Sequence, residues 1–210
     1  MRVIGLTGGI ASGKTMITDY MRSLGAPVID ADEISRELTA RGSPVLDEIS
    51  SAFGDDCLDE DGNLRRRMLG KIIFEDEIGR AKLNKIMHPK IEALVKGRIS
   101  EYKDAGVRAV IYSAPLLLEA RHGVGVDEIW VVALEPEEQI RRLRARDGLS
   151  PEDAGKRLRA QSSLDIKLEK ADKIIDNNGS REEARRQAKA LWEEALKASS
   201  EAERESPDCI

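Results

Sequence analysis

The stretch from Met1 to Thr15, MRVIGLTGGIASGKT, constrains the fold more than any other part of the chain. Val3, Ile4 and Leu6 form a short apolar run with the bulk and length of a buried strand. It breaks into Gly8-Gly9-Ile10-Ala11-Ser12-Gly13-Lys14-Thr15, a full match to G-x-x-x-x-G-K-S/T. Ile17, Met21 and Leu24 then share one helical stripe, with Gly25 placed to cap it. Glycines let consecutive backbone N–H groups turn inward into an anion-binding nest, and the helix N-terminus adds the positive end of its dipole. Lys14 has the reach for β- and γ-phosphates, and the Thr15 hydroxyl suits Mg²⁺. A glycine-rich turn that matched by accident would have no reason to follow a strand and open a helix. The stretch therefore predicts a nucleoside triphosphate site at Gly8, Gly9, Ile10, Ala11, Ser12, Gly13, Lys14 and Thr15, with Mg²⁺ at Thr15.

A chain of 210 residues suffices for one well-buried domain with insertions. Aromatic residues are only 3%, so the core is expected from Ile, Leu, Val, Ala and Met. The net charge of −5 argues against a nucleic-acid partner, although a phosphate ligand needs only local positive charge. Glycines interrupt the N-terminal apolar residues too early for a signal peptide, and no run is long enough to span a membrane. Cys57 and Cys209 stand among polar neighbours without metal-ligand spacing. A reduced, cytoplasmic protein with no membrane partner is the expectation.

Ala26-Pro27-Val28-Ile29-Asp30 reads as a second buried strand, ending in Asp30-Ala31-Asp32. In a strand–helix–parallel strand unit both strands end on the same sheet edge, so the two aspartates arrive near the phosphate loop. They suit a general base for a substrate hydroxyl, a water-mediated hold on Mg²⁺, or capping of the next helix. From Glu33 to about Ala105 the signals are helical. Ser43-Pro44 starts one helix and 55–63 is a polar turn. Met68, Leu69, Ile72, Ile73 and Phe74 make an apolar face, and His88-Pro89 interrupts a second helical run. His88 suits either an anionic acceptor or a helix boundary. Arg65-Arg66-Arg67 suits either phosphate binding or a basic surface.

The third strand, Arg108–Ser113, ends in Ser113 where a phosphate-loop enzyme is expected to carry a carboxylate. Glu119 is the nearest acid, fit either for the Mg²⁺ shell or for a helix surface. Asp127–Leu134 is the fourth strand. The following helix carries Arg142 and Arg146, four apart and on one face, suited to the charge of a transferring phosphoryl group. Surface pairs Glu137–Arg141 and Glu138–Arg142 are the competing use. Asp147-Gly148 turns into a second helix capped by Ser150 and carrying Arg157 and Gln161, which together read as a mobile lid. Lys173–Asp176 is the last strand, with Asn177 placed to line the nucleotide. Ser180 and Glu183 then cap a core helix, and the chain past Ala198 is polar and expected to fray.

These signals predict an α/β fold: a doubly wound, five-stranded parallel sheet of the P-loop NTPase/kinase type, with a helical acceptor-binding insertion and a helical lid. The expected division is a nucleotide-binding core at 1–32, 106–137 and 171–197, an insertion at 33–105, a lid at 138–170 and a disordered tail at 198–210. Two classes compete, a small-molecule kinase and a GTPase-type switch. The switch lacks its guanine-recognition sequence: Asn84-Lys85-Ile86-Met87 has no aspartate and no strand before it. Among kinases, one of the nucleoside monophosphate type remains the alternative.

The chain also resembles the dephospho-coenzyme A kinase family. The resemblance is carried by LTGGIASGKT at 6–15, VIDAD at 28–32, MHP at 87–89, PLLLE at 115–119, RLRARDGLS at 142–150, RLRAQ at 157–161 and ADKIIDNNGS at 171–180. It implies transfer of the ATP γ-phosphate to the ribose 3′-hydroxyl of dephospho-CoA, with Mg²⁺, by a monomer or small homo-oligomer. By the same resemblance Asp32 is the catalytic base, Lys14 the phosphate-loop lysine and Arg142 the lid arginine. ATP is implied to lie on the phosphate loop with Arg142, Arg146 and Asn177, and the acceptor on Asp32, Arg66, Phe74, His88 and Leu117. Thr15 is the implied Mg²⁺ ligand, helped through water by Asp30, Asp32 or Glu119. The family usually has glycine at position 11, and many members have aspartate at position 113.

Overall fold

In a computed structural model, which describes residues 1–119 and 124–205 (without the side chains of 74, 75 and 201–205), the N-terminal apolar run becomes the central strand β1 (Arg2–Gly8). A central parallel strand is covered on both faces and needs a near-continuous apolar sequence. From Val3 to Gly8 every residue of β1 is buried. β1 pairs with β3 (Ala109–Ser113) on one side and β4 (Glu128–Ala133) on the other. β2 (Val28–Asp30) lies outside β3, and β5 (Lys173–Asp176) lies outside β4. The order is β2-β3-β1-β4-β5 and all pairs are parallel, as the alternating strand and helix signals require. All five C-terminal ends therefore face one edge, where such sheets bind ligands.

Helix α1 (Lys14–Ser23) follows the phosphate loop. It ends as its sequence predicts: Gly25 takes φ +81°, its N–H donates to Arg22 O at 2.9 Å, and Ala26 N–H donates to Met21 O at 3.1 Å. These bonds satisfy two carbonyls that would otherwise be orphaned at the helix end. Ile17 and Met21 pack on Ile4, Leu6, Trp130 and Val132 together with the last helix, α9 (Arg181–Glu205). α9 contributes Ala184, Ala188, Trp192 and Ala195 to the same cluster, the face expected from its spacing. With few aromatics available, Trp130 and Trp192 supply much of the bulk. Ser180 and Glu183 form the expected reciprocal cap, Glu183 N–H to Ser180 Oγ at 3.2 Å and Ser180 N–H to Glu183 Oε2 at 3.5 Å.

The helix does not stop near Ala198 as its composition suggests. It runs on to Glu205; buried Ser199 donates to Ala195 O, and Arg108 donates to Ser200 Oγ, both at 2.9 Å, which anchors the helix at Ser200. Residues 206–210, with Cys209, lie outside the described residues.

The chain divides into two units, Met1–Asp30 with Ile99–Ile210, and Ala31–Arg98. The second is helical: α2 (Ala31–Leu38), α3 (Pro44–Phe53), α4 (Arg66–Glu75) and most of α5 (Glu77–Asp104). Ser43 caps α3 ahead of Pro44, as expected. Two expectations are corrected here. His88-Pro89 is no helix boundary, since α5 runs straight through Pro89. Burial of Met87 before it and Val95 after it holds both halves in one helix and offsets the hydrogen bond that proline cannot donate. Nor does Cys57 sit in polar surroundings. The turn Asp55–Cys57 buries it among Val45, Ile49, Leu69 and Met87, and burial pushes its thiol pKa up.

After β4 come α6 (Pro136–Asp147), α7 (Pro151–Arg159) and a third short helix, α8 (Leu164–Glu169), that the sequence signals did not reveal. No helix among the described residues is long and apolar enough to cross a membrane. Truncating Trp192 empties the contact between α1, α9 and the sheet. Trp192→Ala is expected to lower unfolding free energy by about 3–5 kcal/mol, read from urea denaturation.

Candidate active site

The phosphate loop joins β1 to α1, and its shape comes from two left-handed residues, Ala11 at φ +60° and Gly13 at φ +97°. Gly13 is the N-cap of α1 and has no side chain to bond the first-turn N–H groups, which leaves the positive end of that helix for an anion. A Cβ on Gly13 would collide with Asn177 Nδ2, and one on Gly9 would come within 2.5 Å of Gln139 Oε1. Glycine is thus demanded by close approach as well as by φ. Ala11 occupies a conformation that costs a non-glycine residue about 1–2 kcal/mol.

Lys14 Nζ donates to Ser113 Oγ at 2.8 Å, and Ser113 Oγ donates to Asp30 Oδ2 at 3.0 Å. The same carboxylate lies 3.6 Å from Lys14 Nζ, with both side chains only 10% exposed. Parallel register explains the meeting. β2 pairs with β3 so that Asp30 stands opposite Ser113, and β3 pairs with β1, whose loop supplies Lys14. A serine at the end of β3 therefore does not leave the site without a carboxylate. Asp30, one strand over, supplies it. Thr15 is exposed at the start of α1. Its hydroxyl and the Asp30 carboxylate are hard oxygen donors of the type that suits Mg²⁺.

The far end of the sheet braces the loop. Asn177, buried just past β5, donates through Nδ2 to Ser12 O at 2.6 Å. Its backbone carbonyl accepts from Arg142 Nη2 at 3.3 Å. Arg142 Nε also bonds Glu138 Oε1 at 2.8 Å. The expected pair with Glu138 is thus formed, and the same arginine also reaches the residue that braces the loop. Hydrogen bonds from Arg141, then Arg142, hold the half-buried Glu138 carboxyl down at about 2.

A model of the dephospho-CoA kinase family matches residues 2–183. The chain belongs to that family. A dephospho-CoA kinase of Symbiobacterium thermophilum is 46% identical over 195 residues, which is 93% of this chain and 82% of that one. Among solved structures, a Thermus thermophilus protein aligns with TM-score 0.75 at 32% identity, over 92% of this chain and 97% of its own. A dephospho-CoA kinase from Campylobacter jejuni aligns with TM-score 0.68 at 28% identity, over 93% and 98%.

Arg146 is exposed, and Asp147 grips its guanidinium at 2.7 and 3.0 Å while also accepting from Arg157 at 3.0 Å. The Leu117 side chain is turned onto Gly5 of β1, where a Cβ would meet it, while neighbouring Leu116 is the exposed one. In the helical unit, Arg66 borders a cavity of about 170 Å³ with Ser35, Ile49, Ile73 and Met87, and donates to Thr39 Oγ1 at 2.7 Å. Burial and the neighbouring Arg36 lower the pKa of Arg66. His88 is exposed on α5, and Asp32 is exposed in the first turn of α2, two residues after Asp30. The Phe74 side chain lies outside the described residues.

The Glu119 side chain is half-buried and paired. Its Oε1 accepts from Lys167 Nζ at 2.8 Å and from Ser162 N–H at 3.1 Å, and Lys167 is 1% exposed. Burial raises the Glu119 carboxyl, but the Lys167 and Ser162 hydrogen bonds outweigh it and leave its pKa below the usual 4.5. A lowered folded-state value means stability fully present above pH 4.5 and lost as pH falls through the folded value. Glu119→Gln should therefore flatten the acid limb of a Tm-against-pH curve measured from pH about 6 down to about 3.

Proposed function

We propose that the protein transfers the γ-phosphoryl group of ATP to the ribose 3′-hydroxyl of dephospho-CoA, giving coenzyme A and ADP. The observation that carries this reading is an intact phosphate loop, with Lys14 held between Ser113 and Asp30, in a chain of this family. ATP lies with its β- and γ-phosphates in the loop of residues 8–15, on the N–H groups at the start of α1, while Ile10 N–H stays with Gln161. Lys14 and Arg142 carry the charge that develops on the transferring group. Arg146 joins them after exchanging Asp147 for phosphate oxygen, and Asn177 keeps the loop in shape. Thr15, with Asp30, Asp32 or Glu119 through water, would hold the Mg²⁺ that accompanies ATP, and the ion would supply positive charge to the phosphates.

Asp32 accepts the proton of the 3′-hydroxyl. The 3′-oxygen attacks the γ-phosphorus while the bond to the β–γ bridging oxygen breaks and ADP leaves. The helical unit binds the acceptor, with Arg66 suited to its phosphates and the cavity beside Arg66 suited to an apolar part. Phe74 and His88 are the further acceptor-binding residues proposed for this unit, and Leu117 is the one proposed from the sheet unit. The segment α6–α8 acts as a lid that keeps water from the γ-phosphate. We take the protein to work in the cytoplasm as a monomer or small homo-oligomer.

The test is ADP release with ATP and Mg²⁺, run with dephospho-CoA and separately with AMP, CMP and shikimate. Turnover is expected with dephospho-CoA alone, with coenzyme A as product. Phosphorylation of a nucleoside monophosphate instead would move the chain to that kinase class. Tight nucleotide binding without any acceptor-dependent turnover would favour a switch. Asp32→Asn keeps the shape of the side chain and removes the base. It should bind ATP normally in calorimetry and lose roughly 10²–10⁴-fold in kcat.

A further inference from the structure

The phosphate loop is also held by a residue from outside the sheet. Ile10 N–H, a backbone donor within the nest, points to Gln161 Oε1 at 2.8 Å, across 151 positions of sequence. Gln161 follows the last turn of α7 and is fixed on both sides. Its own N–H donates to Leu158 O at 3.2 Å, and the next residue, Ser162, donates to Glu119. Glu119 in turn holds buried Lys167 of α8. The segment 158–167 is thus docked at two points, the phosphate loop and the Glu119–Lys167 pair. Between them it closes over a cavity of about 420 Å³ bordered by Gly9, Gln139, Leu158 and Leu164.

We propose that Gln161 is a positioning residue that latches the lid onto the phosphate loop through Ile10 N–H, and so keeps water from competing with the acceptor. The proposal rests on the phosphotransfer reading above. The chemistry favours an amide here. Its carbonyl oxygen accepts the N–H as a phosphate oxygen would, but places no negative charge beside bound triphosphate, as a carboxylate would. A lid released from this bond admits water, which then attacks the γ-phosphorus in place of the 3′-oxygen, giving ADP and inorganic phosphate.

Gln161→Met keeps the length of the side chain and removes the acceptor oxygen; Gln161→Glu restores an acceptor. In amide exchange followed by NMR without substrates, Gln161→Met should speed exchange at Ile10 by about tenfold or more, with β1 unchanged. In turnover, its ratio of ADP released to coenzyme A formed should rise about fivefold or more above wild type. Gln161→Glu should recover Ile10 protection and raise KM for ATP more than it lowers kcat. Unchanged Ile10 exchange in Gln161→Met, an unchanged product ratio, or failure of Gln161→Glu to restore protection would each overturn the latch. The exchange arm uses no substrate, so it judges the latch even if wild type makes no coenzyme A, a result that would overturn the reaction instead.

Discussion

A lysine ammonium held 10% exposed at the edge of a parallel sheet is the interaction on which the rest of the site depends. Such a charge is tolerated only where partners replace the water it has lost. Ser113 and Asp30 are those partners, and they meet Lys14 only because three strands lie side by side in one register. The apolar composition of β1 puts it at the centre. Its centrality puts β3 beside it and β2 beyond, and that order sets a carboxylate against the loop lysine.

The loop itself is shaped less by its own bonds than by what surrounds it. Asn177 holds Ser12 from the β5 side, and Gln161 holds Ile10 from the α7 side. Both are side-chain amides, and each reaches a backbone group of the loop without adding charge. Arginine supplies positive charge nearby through Arg142, itself steadied by Glu138 and by the Asn177 carbonyl. Bracing by amides adds no negative charge to the loop, which suits the polyanion proposed to bind there.

Much of this was legible in the chain. Period and bulk identify the strands, most clearly β1, β3 and β4, because a strand buried on both faces must be apolar throughout. The caps at Ser43, Ser150 and Gly25 mark helix ends by local hydrogen bonding that distant residues do not alter. The phosphate loop is readable for the same reason, as backbone geometry written in glycines. Less legible were residues whose role depends on a neighbour far along the chain. Composition around Cys57 is acidic, yet a turn buries it; Pro89 looks like a break, yet packing on either side carries α5 through it. The α9 terminus reads as frayed, yet Arg108 and a buried Ser199 secure it.

By itself, then, the sequence determined the sheet, the loop that binds phosphate and the family, since each rests on local patterns of a few residues. Tertiary structure alone decided which acid serves Lys14, that Glu119 is spent on Lys167, and that Gln161 reaches Ile10. The reason is physical. Strand order and helix docking bring together groups separated by 16 to 151 positions, and no spacing rule along the chain encodes a meeting made across a sheet edge.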